Sequence, residues 1–146
     1  MRFLADAMLG KLTRWLRIIG HDTVYLPSLN DSELIALAHV EGRTILTRDA
    51  DLYQRAARAG ICCVLIKSLS ISSELSELSA LLKGASDESR CPACNSLLQK
   101  LERSGIDDPI IPDISPIWRC RQCGKIYWHG THWRRIAETL KVLDNG

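Results

Sequence analysis

Over its first eighty or so residues the chain alternates between short continuous apolar runs and stretches whose apolar residues recur at helical spacing. Phe3-Leu4-Ala5, Val24-Tyr25-Leu26, Thr44-Ile45-Leu46-Thr47 and Cys62-Cys63-Val64-Leu65-Ile66 read as buried strands. Leu9, Leu12, Trp15, Leu16 and Ile19 fall on one helical face, which Gly20 stops. A second helix is expected from about Asp31 to Glu41, with Leu34, Ile35, Leu37 and Ala38 inward and Gly42 at its end. A third runs from about Ala50 to Ala59, and Ile71, Leu75, Leu78, Leu81 and Leu82 mark a last one. Apolar strands separated by helices predict an α/β fold, a parallel sheet covered on both faces.

This unit is expected to occupy residues 1–84, followed by a polar linker, residues 85–90, and a second module, residues 91–146. The second module holds Cys91, Cys94, Cys120 and Cys123, two Cys-x2-Cys pairs separated by twenty-five residues. Thiolates three apart in a turn can bind one ion together, and two such turns supply the closed tetrahedral set that structural zinc prefers. Pro92 and Gly124 suit tight, metal-facing turns. A redox pair or disulfides would use the same residues, but two matched pairs in a chain that reads as cytosolic favour Zn2+. With four sulfur ligands the zinc has no open position and is structural, so His129 and His132 are read as surface or partner-contacting residues. Cys62 and Cys63 read as small buried hydrophobes. A proline-punctuated loop (Pro109, Pro112, Pro116) joins the knuckles, and an amphipathic helix with Trp133, Ile136, Ala137, Leu140 and Leu143 closes the chain.

Charge is informative only locally. The net charge of +2 is too small to imply a polyanion partner. From Ile117 to Lys141, however, six Lys and Arg stand against Glu138 alone, interleaved with Trp118, Trp128 and Trp133. Such a segment can contact nucleic acid, or simply be a solvated basic face. The N-terminus lacks a long apolar segment and no run of membrane-spanning length occurs, so a cytoplasmic protein with no membrane partner is expected.

Asp6 and Asp49 each stand where an apolar run gives way to a helical pattern, and Asp31 opens another helix. Parallel strands point their C-terminal ends the same way, so these carboxylates are expected along one edge of the sheet. Acids gathered there repel one another unless protons or a cation compensate them, which points to a hard divalent metal. Each also has a plain structural reading. Asp6 can cap the following helix, Asn30 and Glu33 can form a capping box that leaves Asp31 to favour the helix dipole, and either Asp49 or Asp51 can cap the third helix. Asp49 is favoured over Asp51 as the direct ligand, with Asp51 completing the site. Thr47 is placed to hydrogen-bond a ligating carboxylate or a metal-bound water. Lys11 and Arg14, three apart on the first helix, and Arg48 are candidate phosphate contacts, or ordinary solvated charges.

The segments FLADAMLGKLTRWLRIIG, NDSELIALA and GRTILTRDADL, followed by the four cysteines, resemble the Mut7-C family of PIN-like ribonuclease domains. The resemblance implies a PIN-like three-layer α/β/α sandwich with a small C-terminal zinc ribbon and terminal helix. It also implies a metal-dependent ribonuclease whose Mg2+ or Mn2+ is held by Asp6, Asp31, Asp49 and Asp51, with RNA, single-stranded or structured, as substrate. Lys11, Arg14, Arg48, Arg119 and Arg121 would then hold the strand, Zn2+ would stabilise the ribbon, and a homo-dimer is compatible with this reading. Two other functions use the same features: a non-catalytic RNA- or ribosome-binding zinc-ribbon adaptor whose acids are only caps, and the toxin nuclease of a toxin–antitoxin pair.

Overall fold

The computed structural model describes residues 1–83, 88–101 and 116–128, together with Glu138 and Lys141. The expected linker start, most of the proline-punctuated loop, and the C-terminal helix through Trp133 and Leu143 lie outside the described residues, as do His129 and His132.

Four strands, β1 (Arg2–Ala5), β2 (Asp22–Tyr25), β3 (Thr44–Thr47) and β4 (Cys63–Leu65), form one sheet in the order β2-β1-β3-β4. All three pairings are parallel, with Leu4 opposite Val24 and Ile45, and Leu46 opposite Val64. The two central strands are apolar at Phe3, Leu4, Ala5, Ile45 and Leu46 because both their faces are covered there. Phe3, Ala5 and Leu46 point into one core cluster, with Leu9, Leu12, Leu16, Leu75, Leu78 and Leu82. Leu4 and Ile45, on the other side of the pleat, pack with Leu34, Ala38, Leu52 and Ala56. The first cluster comes from α1 (Gly10–Ile18), α4 (Ile71–Glu77) and α5 (Ser79–Leu82); the second from α2 (Asp31–Glu41) and α3 (Ala50–Arg58). The result is a three-layer α/β/α sandwich. The chain steps outward from β1 to β2, then reverses through β3 to β4. Right-handed crossovers therefore place α1 on one face and α2 and α3 on the other.

Local chemistry sets the element ends. Asn30 caps α2 through a complete capping box with Glu33, and Gly42, in the left-handed conformation at φ 62°, closes it. Before α1 the chain makes a short 3₁₀ turn, Ala7–Leu9, capped by Asp6. The single last helix expected from the apolar spacing is two: Leu78, fully buried, ends α4, its N–H reaching back to the carbonyls of Glu74 and Ser76. No helix among the described residues is long and apolar enough to cross a membrane.

A second sheet, antiparallel, contains β5 (Leu98–Leu101), β6 (Ile117–Cys120) and β7 (Ile126–Trp128) in that order. Its two knuckles are built alike. The residue after each second cysteine, Asn95 at φ 72° and Gly124 at φ 76°, is left-handed. Each donates its N–H to the carbonyl of the first cysteine of its pair, at 2.8 Å to Cys91 and 3.0 Å to Cys120. The first knuckle is tied to the parallel sheet by named bonds. Arg17 donates to the carbonyls of Thr23 (2.9 Å) and Pro92 (2.8 Å). The Asn95 side chain accepts from the Thr23 N–H (3.0 Å) and donates to Asp22 (2.7 Å).

Candidate active site and metal centre

The connections leaving the adjacent strands β1 and β3 run in opposite directions, one to β2 and the other to β4. The crevice at their carboxyl ends is thus the topological switch point, where open α/β sheets bind their ligands. Asp6 directly follows β1 and Asp49 lies two residues beyond β3. One hydroxyl joins them: Thr47 Oγ1 donates to Asp6 Oδ2 at 2.8 Å and accepts the Asp49 N–H at 3.0 Å. Thr47 is fully buried, so this link is held in place by the core beneath it.

Both aspartates are also caps. Asp6 Oδ1 accepts the Ala7 N–H at 2.6 Å, and Asp49 Oδ1 accepts the Asp51 N–H at 2.8 Å. Asp31, the first residue of α2, stands apart from this hydrogen-bonded set. Arg55 of α3 reaches its Oδ2 at 3.4 Å while bonding Ser32 at 2.7 Å. Among the described residues, the acids do not close into a metal-sized group of three or more; the cysteines do. Hydrogen bonds thus link Asp6, Thr47 and Asp49 along one edge, Asp51 joins them through its N–H alone, and Asp31 is paired with Arg55.

The two ends of the sheet differ in charge. At the amino ends of the strands, Asp22 is paired with Arg43 at 2.8 Å, and Arg43 also holds Glu41 at 2.9 Å. Burial alone would raise the Asp22 carboxyl, but the hydrogen bonds from Arg43 and Asn95 and the Arg43 charge outweigh it and bring the pKa to about 2. At the carboxyl ends, no Lys or Arg among the described residues forms an ion pair with Asp6, Asp49 or Asp51. The charge of Asp6 is felt nearby: the Cys63 thiol is pushed up to about 11, first by burial and then by Asp6. Asp6, Asp49 and Asp51 thus offer carboxylate oxygens, the donor type that hard divalent ions take, with no ion-paired cation among the described residues, while not closing into a metal-sized group.

The expected phosphate contacts divide. Lys11 and Arg14 are exposed on α1, beyond Asp6. Arg48 is not available in the same way: it donates to the Ser68 carbonyl and is ion-paired with Glu74, which is buried. Burial pushes the Glu74 carboxyl up, with the Arg48 charge acting against it. Arg48 faces a depression of about 420 Å3 between α1 and α4. Its sequence neighbour Asp49 made it look like part of the site, whereas its partner lies twenty-six residues away. Arg119 is exposed on β6, and Arg121, exposed, bonds the Gln99 side chain at 3.1 Å.

In the ribbon the sulfur atoms of Cys91, Cys94, Cys120 and Cys123 all lie within 4.8 Å of one another. Cys91 and Cys123 are 3.7 Å apart, and Cys94 and Cys120 are 3.3 Å apart. Four thiolates at about 2.3 Å from a tetrahedral zinc would be separated by about 3.8 Å, so the set fits a structural zinc ribbon. Burial would raise the Cys94 thiol, yet hydrogen bonds from the Ser96 backbone and side chain, with Cys120 and Cys91, bring it down to about 6. The sulfurs do not share this effect equally: against a hydrogen bond from the Lys125 backbone, burial and hydrogen bonds with the other three cysteines push the Cys123 thiol up to about 11.

Sequence reasoning missed three residues around these sites. Asn95 occupies the position that Gly124 takes in the second knuckle, a correspondence visible once the two pairs are aligned. Arg17 is buried and bridges the two sheets, and nothing local to α1 marks it. Tyr25 donates its hydroxyl to the Ala7 carbonyl at 2.7 Å and leans over Gly10, where an added Cβ would lie 3.1 Å from the Tyr25 hydroxyl oxygen. Gly10 is what lets the tyrosine approach.

An α/β sandwich with carboxylates at its switch point and a four-cysteine ribbon docked beside it defines an α/β protein with a zinc-ribbon appendage. The family model described as the Mut7-C RNAse domain matches residues 1–140, and the chain belongs to that family. Neither the curated proteins nor the solved structures gave a significant match.

Proposed function

We propose that this protein is a metal-dependent ribonuclease that hydrolyses RNA phosphodiester bonds at the edge formed by Asp6, Asp49, Asp51 and Asp31, with residues 1–84 as the nuclease unit and residues 91–146 as a zinc ribbon that aids RNA binding. The observation that carries this reading is the placement of Asp6 and Asp49 at the switch point, locked to one buried hydroxyl and left without a cationic partner among the described residues. Its family membership supports the ribonuclease class.

In this reading Asp6 and Asp49 are the principal ligands of Mg2+ or Mn2+, Asp51 adds a third carboxylate, and Asp31 joins from α2. When bound, the ion polarises the scissile phosphate and lowers the pKa of a water nucleophile. Thr47 fixes the orientation of the Asp6 carboxylate and the start of the Asp49 turn, so both oxygen donors are set before substrate arrives. Lys11 and Arg14 supply positive charge for the phosphate backbone. Zinc on the four cysteines holds the ribbon and takes no part in the chemistry.

A second reading has a specific observation in its favour: Asp6 and Asp49 each cap a helical turn, as they would in an RNA-binding adaptor with no activity. Asparagine separates the two, because it caps about as well as aspartate while losing the charge. Asp49→Asn should leave the melting temperature nearly unchanged, whereas Asp6→Asn should cost about 1 kcal/mol because it turns the acceptor facing the buried Thr47 hydroxyl into a donor. Both should lower Mg2+- or Mn2+-dependent RNA cleavage at least about a hundredfold, about 2.7 kcal/mol of barrier. Equal cleavage by wild type and both variants would remove the acids from the mechanism.

A further inference from the structure

We propose that the cleft between α1 and the two zinc knuckles seats the phosphate backbone of a single RNA strand and leads it to the acidic edge. The cleft has a volume of about 600 Å3, within the range of built ligand sites. Lys11, Arg14 and Arg17 line it from α1 and Lys125 from the second knuckle, and no acidic side chain lines it. Gly10, Thr13, Arg14 and Arg17 follow at spacings of three, four and seven residues, so one stripe of the helix forms its length.

Three features distinguish this cleft from an ordinary solvated basic face. Its cations come from segments more than a hundred residues apart in the chain, Lys11 and Lys125, which only the docking of ribbon on sheet brings together. Lys11, Arg14 and Lys125 are exposed there and no carboxylate lines the cleft beside them, so the field in it favours an anion. The cleft also has an aromatic wall: Tyr25, half-buried, offers a ring on which a base can stack. Tyr25 joins the cleft to the site as well, since its hydroxyl bonds Ala7, whose N–H bonds Asp6.

The identity of the anion as RNA rests on the ribonuclease reading; the cleft itself rests on the residues that line it. It shifts the ribbon's contribution from Arg119 and Arg121 to Lys125. The zinc site acquires a functional consequence, because Pro92 and Ala93 of the first knuckle form one wall of the cleft.

The test is binding of a short fluorescent oligouridylate to the zinc-loaded protein without added Mg2+ or Mn2+, so that no strand is cut. Lys125→Ala and Arg14→Ala should each weaken binding about 3–10-fold at moderate salt and flatten the dependence of log K on log salt by about 0.7 per lost phosphate contact, while Arg121→Ala binds as wild type. An excess of inorganic phosphate should displace the strand only weakly; full displacement would mean a single-phosphate site and overturn the strand path. Wild-type-like binding by Lys125→Ala and Arg14→Ala, or an equal loss in Arg121→Ala, would also overturn it. Independently, bound oligouridylate should protect the Lys11 and Lys125 amines from acetylation read by mass spectrometry, and unchanged labelling would refute the cleft. Because binding is read apart from cleavage, failure of the nuclease reading would leave these outcomes intact, and failure of the cleft would leave the acids untouched.

Discussion

Asn95→Gly and Asn95→Ala test how firmly the ribbon is tied to the parallel sheet. Asn95 makes two side-chain bonds to β2: it accepts from the Thr23 N–H at 3.0 Å and donates to the Asp22 carboxylate at 2.7 Å. The first is an amide pair, about 1 kcal/mol net; the second, to a charged group, is about 1.5–3 kcal/mol, less what water returns at a half-buried site. Asn95→Gly should therefore cost about 2–3 kcal/mol. Alanine loses the same bonds and must in addition hold φ 72°, which costs about 1–2 kcal/mol for an L-residue. Glycine's greater freedom in the unfolded chain, about 0.5–1 kcal/mol, offsets part of that gap. Asn95→Ala should thus fall about 0.5–1 kcal/mol below Asn95→Gly. Urea unfolding at fixed excess zinc, followed by circular dichroism, measures both. The difference from wild type should shrink in acid. Asp22 has its folded pKa depressed to about 2 from 3.8, so the stability it contributes is present above the unfolded value and lost as pH falls through the folded one. A cost below about 0.5 kcal/mol for Asn95→Gly, or glycine worse than alanine, would refute the reasoning.

The Arg48–Glu74 pair should be structural. Arg48→Met leaves a buried carboxylate unpaired and should cost about 3 kcal/mol in chemical denaturation, most of it recovered in the double variant with Glu74→Leu; RNA affinity lost without stability would instead return Arg48 to the substrate. His21, buried against the Phe3 ring at 5.7 Å, has its pKa lowered by burial. In acid the unfolded chain takes up a proton that the folded one resists, so stability should fall as pH drops below about 6.5, and His21→Phe should flatten that slope; an unchanged slope would place the titration elsewhere.

Elements whose ends carry their own chemistry were legible in the sequence. Asn30 with Glu33 and the stop at Gly42 define α2 because both signals act within one turn of backbone. The central strands were legible because burial on both faces leaves only apolar choices at Phe3, Leu4, Ile45 and Leu46. The cysteine spacing foretold a set that fits zinc, and Thr47 was correctly linked to a carboxylate. What could not be read is tertiary in origin. The partner of Arg48 is chosen by the packing of α4, the bridge through Arg17 by the docking of a knuckle seventy-five residues on, and the break at Leu78 by how α4 and α5 share one core. The partner of Asp31 likewise could not be read locally, because Arg55 sits on another helix.

The central claim is that Asp6 and Asp49 share a divalent cation. A crystal of the zinc-loaded protein soaked in Mn2+ tests it most directly through the metal's anomalous signal. The account predicts a Mn2+ peak within about 2.0–2.4 Å of an oxygen from each of Asp6 and Asp49, absent in Asp49→Asn. Mn2+ bound only elsewhere, or Asp6 and Asp49 still turned wholly onto their capping amides with no ion between them, would contradict it.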